Sequence, residues 1–118
     1  NDCIVRFNGM FAFAIHDKVK NCVFMARDRL GIKPFYYTLM GNTLIFGSEI
    51  KSILQITEFK RIPDFKSISS YLTFRYTYGD RTFFENIKKL LPGHTMTIDI
   101  NGNRSTKYWS VGSFVVKL

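Results

Sequence analysis

Two unbroken apolar runs constrain this chain more than any other feature. Met10-Phe11-Ala12-Phe13-Ala14-Ile15 is one, and Cys22-Val23-Phe24-Met25-Ala26 is the other, with the polar stretch Asp17-Lys18-Val19-Lys20-Asn21 between them. A strand with one face in water alternates apolar and polar residues, whereas an unbroken run belongs to a strand covered on both faces. The spacing predicts a hairpin set in the interior of a sheet stack, away from any edge.

The second run leads straight into Ala26-Arg27-Asp28-Arg29-Leu30-Gly31-Ile32-Lys33-Pro34-Phe35-Tyr36-Tyr37. Its middle reads as loop and its flanks as strand. Gly31 can take a positive φ, and Pro34 fixes its own φ and drives Lys33 extended. Arg27 and Asp28 read as an ion pair that holds the loop, in preference to a catalytic role. The result is a connection of set shape between two apolar strands.

A second hairpin follows, Phe35 to Leu39 and Thr43 to Phe46, around Met40-Gly41-Asn42. Ser48 is expected to N-cap a short helix with Glu49 in its first turn, and Ile50, Ile53 and Leu54 give that helix an apolar stripe. Asn1 to Phe7 reads as the tail of a helix. Asp64 is expected to cap a further short helix, with Ile68, Tyr71 and Leu72 on one face. Between Thr82 and Leu91 the pattern is ambiguous, because Phe84, Ile87 and Leu91 fall at helical spacing. His94 to Ile100 alternates as a half-exposed strand, Asn101-Gly102-Asn103 turns, and Ser105 to Trp109 returns. Antiparallel hairpins with short helices point to an α+β class.

Composition excludes several functions. The net charge of +8 raises nucleic acid or an anionic membrane as partners, but Lys60-Arg61 and Lys88-Lys89 are the adjacent basic pairs and the other cations are scattered. The reading is therefore no nucleic acid and no membrane. No apolar run nears the ~20 residues of a membrane span. Cys3 and Cys22 make neither a disulfide framework nor a metal site, which suits a reducing, cytoplasmic compartment. His16 and His94 stand far apart without other metal-type ligands, so no metal is expected. The first residue is not Met, and the chain reads as a fragment.

Three blocks carry a family likeness: Gly9 to Ile15, Ala26 to Tyr37, and Gly47-Ser48-Glu49-Ile50-Lys51-Ser52-Ile53-Leu54. They resemble the second half of the class II glutamine amidotransferase domain of glutamine-hydrolysing asparagine synthetases. Tyr71-Leu72-Thr73-Phe74, Thr82 to Ile87, Leu90-Leu91-Pro92-Gly93-His94 and Tyr108-Trp109 are similar to the connector that follows it. The likeness assigns residues 1–55 to the amidotransferase half-domain. Residues 56–118 become its end and the connector toward an absent synthetase domain.

The resemblance implies an N-terminal-nucleophile fold, a four-layer α-β-β-α sandwich. It implies partners in the rest of the amidotransferase domain and in a C-terminal ATP-dependent synthetase domain, with a homodimer as candidate assembly. It also implies glutamine and aspartate as substrates of the family, with ATP and Mg2+ used by the full-length protein. Met10 matches a methionine lining the ammonia channel, and Ile32 and Lys33 match positions beside it. The family's nucleophile is a cysteine at the processed N-terminus, whose α-amino group serves as base. Position 1 here is Asn1, and Cys3 is preceded by two residues, so no catalytic residue is expected in this chain. A fragment of another class II amidotransferase, or a non-catalytic interaction remnant, are the alternatives.

Overall fold

A computed structural model describes residues 3–114. The architecture is α+β: antiparallel sheets with a few short helices. The chain divides into two compact units, one of Asn1–Lys33 with Pro92–Leu118 and one of Pro34–Leu91.

The first unit is a four-stranded sheet. The two apolar runs become β1 (Ala12–Asp17) and β2 (Cys22–Arg27), paired antiparallel in uninterrupted register from Ala12↔Arg27 to Asp17↔Cys22. β2 also pairs with a strand from much later in the chain, His94–Asp99, and that strand pairs with Gly102–Lys107. Met25 lies between Ala14 and Met96 and is fully buried, as is Ala26. The expected interior position of the hairpin is corrected by this order. β1 is an edge strand among the described residues, and Ile15 and His16 on it are exposed. The interior place beside β2 goes to a segment about 70 residues downstream, a long-range pairing that no local pattern announces.

Of the expected helix tail, Asn1 and Asp2 lie outside the described residues. Ile4–Arg6 forms one 3-10 turn that buries Ile4 and leaves Val5 and Phe7 exposed. Three apolar side chains in one turn cannot all face inward. The edge of Phe7 meets Phe11 with ring centroids 5.3 Å apart.

The second unit holds the hairpin β3 (Tyr36–Met40) and β4 (Thr43–Gly47), with the two-residue β5 (Lys88–Lys89) on the other side of β3. α1 (Ile50–Ile53) packs on this sheet, and Ile53 joins Phe59 and Ile87 in the core, with Ile50 and Leu54 partly buried against them. The expected cap is corrected: the N-cap position falls on Glu49, one residue past Ser48, and no side chain caps it. Glu49 instead meets Lys51 at 2.7 Å. Asp64 does cap the second helix, α2 (Phe65–Phe74), and accepts the Ser67 N–H. The face of α2 with Ile68, Tyr71 and Leu72 is largely outward: Tyr71 and Leu72 are exposed and Ile68 is half-buried. The helical spacing at Phe84, Ile87 and Leu91 builds no helix: Phe84 bridges Pro63, and Lys88, the first residue of β5, bridges Arg81. In chain order, His94–Asp99 is β6 and Gly102–Lys107 is β7.

Candidate functional site

The loop after β2 is held by one carboxylate and one guanidinium. Asp28 is only 1% exposed. Its Oδ1 accepts the N–H groups of Leu30 at 3.2 Å and Ile32 at 2.9 Å, and its Oδ2 accepts that of Lys33 at 3.0 Å. Burial pushes this carboxyl up, but the N–H groups of Lys33, Ile32 and Gly31 outweigh it and hold the group below the usual carboxylate value. Arg27 works from the other side, its Nε donating to the Lys33 carbonyl and its Nη2 to the Gly31 carbonyl, both at 2.7 Å. The two side chains therefore grip opposite polarities of the same short backbone.

Gly31 makes this geometry accessible. It sits at φ +68°, and a Cβ there would lie 2.6 Å from Pro92 Cγ and 3.2 Å from the Arg27 guanidinium carbon. A second turn braces the loop. The Gly93 N–H donates to the Asp28 carbonyl at 2.9 Å, the Tyr108 N–H donates to the Gly93 carbonyl, and the Tyr108 hydroxyl donates to the Arg27 carbonyl at 2.8 Å. Gly93 is also at positive φ, with the Trp109 carbonyl 2.6 Å from where a Cβ would stand. Gly93 and Tyr108 are thus parts of the loop's support.

On this frame apolar side chains are exposed beside a charged one. Ile32 is 54% exposed and Leu30 is exposed beside it; Met10, which precedes β1, is 63% exposed. Lys33 is exposed too, while its backbone is fixed by Asp28 and Arg27. Pro34 begins the second unit. These hydrogen bonds of Arg27 and Asp28 all go to backbone groups, so what the arrangement does is shape a loop and present its apolar side chains.

Residues 1–109 match the glutamine amidotransferase domain family. The chain belongs to that family. This amidotransferase chain is 41% identical over 113 residues to asparagine synthetase [glutamine-hydrolyzing] 3 of Bacillus subtilis, covering 95% of the chain and 18% of that protein. It is 38% identical to asparagine synthetase [glutamine-hydrolyzing] 2 of the same organism, over 92% of the chain and 16% of the relative. It is 33% identical to amidase chyE of Penicillium rubens, again over 92% of the chain and 16% of the relative. The chain thus spans less than a fifth of the length of these relatives.

A second polar cluster in this amidotransferase chain is only half visible in the sequence. Asp64, read as a cap, is also clamped by Arg81, whose Nη2 reaches Oδ1 at 2.6 Å and whose Nε reaches Oδ2 at 2.9 Å. The hydrogen bonds from Arg81, working against burial and helped by Ser67, lower the Asp64 carboxyl to about 2. Arg81 carries no local signal, because its partner is 17 residues away. These residues line a hollow of about 390 Å3 with Asp80, Glu85 and Lys88, where Lys88 pairs with Asp80 at 2.8 Å. Two of its three carboxylates are paired, Asp64 with Arg81 and Asp80 with Lys88, as in a structural network. Among the described residues no group of three or more His, Cys, Asp or Glu could hold a metal ion. Among them, too, no helix is long and apolar enough to cross a membrane.

Proposed function

We propose that this chain is the scaffold half of the glutaminase part of a glutamine-dependent asparagine synthetase. In that enzyme glutamine is hydrolysed at one site, and the ammonia amidates aspartate at a second, ATP-dependent site. The observation that carries this reading is similarity to glutamine-hydrolysing synthetases along nearly the whole chain, which nevertheless spans less than a fifth of their length. The nucleophile and the ATP site then lie in polypeptide outside these 118 residues. ATP and Mg2+ would serve the synthetase part, in the cytoplasm. Among the described residues no group of three or more His, Cys, Asp or Glu could hold the Mg2+.

Within that reading, Met10, Ile32 and Lys33 stand beside the ammonia passage. Neutral ammonia must be kept from bulk water, and apolar side chains on a stiff loop suit a wall that another surface closes over. The exposure of Met10 and Ile32, together with the fixed backbone from Arg27 to Lys33, supports this. The Lys33 ammonium, costly to bury, stays on the wet side.

Similarity to a fungal amidase supports a second reading, in which the same scaffold serves a different acceptor. The higher identity to the synthetases favours the first. The test is a replacement of the matching segment of the Bacillus subtilis synthetase 3 by this chain. The hybrid is expected to form asparagine from aspartate, glutamine and ATP. A well-folded hybrid that hydrolyses glutamine but forms no asparagine would overturn the assignment.

A further inference from the structure

The helix α2 is attached to its unit by its polar side. Of its ten residues only Ser67 is buried, and that hydroxyl, with the Asp64 cap and Arg81, forms the hydrogen-bonded attachment. Tyr71 adds one edge-to-face contact with Phe83, at 5.1 Å between ring centroids. The outward stripe is apolar: Phe65 is 76% exposed and Leu72 is 71% exposed, with half-buried Ile68 between them at helical spacing. An amphipathic helix ordinarily packs the other way round, and large exposed apolar stripes mark contact surfaces.

Charge selects the occupant. α2 itself contains Lys66 and no acidic residue, and Arg75 caps its far end. Among the described residues neither cation is in an ion pair. The one carboxylate at the helix start, Asp64, is already taken by Arg81. We propose that the Phe65–Ile68–Leu72 stripe is a docking surface for a protein helix of another polypeptide segment, one with an apolar strip bordered by carboxylates. Apolar anchors supply the contact, and Lys66 and Arg75 supply its polarity and orientation. The surface stands independently of the amidation chemistry.

The test uses the 118-residue chain and two synthetic helices that share one leucine stripe, flanked by glutamates in one and by lysines in the other. By calorimetric titration the glutamate helix is expected to bind about tenfold tighter than the lysine helix or better. Phe65→Ser with Leu72→Ser should weaken it about tenfold or more. Val19→Ser, on the β1–β2 turn, should leave it unchanged. Lys66→Glu with Arg75→Glu should invert the preference, which keeps the test decisive even if the serine variant misfolds. Equal or absent binding of the two helices would overturn the proposal. So would stripe-dependent binding to phosphatidylglycerol vesicles in place of the peptide, or a dimer that the serine variant abolishes.

Discussion

Asp28 shows how far a single residue can be read from sequence. Its place in a turn-rich loop beside Arg27 marks it as a loop-fixing group. Its acceptance of three backbone N–H groups could not be read, because those contacts depend on where the loop folds back. Replacing Asp28 by Ala leaves these part-buried donors without their carboxylate, and should cost about 1–3 kcal/mol in chemical denaturation. Gly31→Ala forces a side chain into positive φ against Pro92 and should cost more than about 1 kcal/mol by the same measurement. Asp28 and Asp64 are both depressed in the fold. Their contribution is therefore complete above the unfolded carboxyl value, about 3.9, and is lost as pH falls through the folded values. For Asp64 that window runs from about pH 4 down to its folded value of about 2. Stability measured across it should fall less steeply in Asp64→Asn than in the parent chain.

At the scale of elements, α1 and α2 look alike in sequence, each a short helix with apolar residues at helical spacing. Only α1 faces inward, and Ile53 at its end is fully buried in a core cluster. Ile53→Ala should cost about 2–5 kcal/mol, whereas Leu72→Ala, on the outward stripe of α2, should stay within about 0.5 kcal/mol. Equal losses would contradict the assigned burial. The strands are legible where a run and its turn are adjacent, as in β1–β2 and β3–β4. They are not legible where pairing is distant: β6 beside β2 moves β1 to the edge, and the two-residue β5 hides in a stretch with helical spacing. Ser48 misleads as a cap because the helix starts one residue later than its polar signal.

At the scale of the whole molecule, the likeness carried by Gly9 to Ile15, Ala26 to Tyr37 and Gly47 to Leu54 leads to the family to which residues 1–109 belong. The candidate site is legible as a motif, but its brace from Gly93 and Tyr108 is not, since that support arrives from the far end of the chain. In the proposed function the chain is a frame: it fixes a loop and presents apolar surface, and the bond-making groups are assigned to other polypeptide. Glutamate release from glutamine by the purified 118-residue chain tests that most directly. The expected rate is no higher than that of buffer; sustained glutamate release above that background by the chain alone would contradict the role of frame.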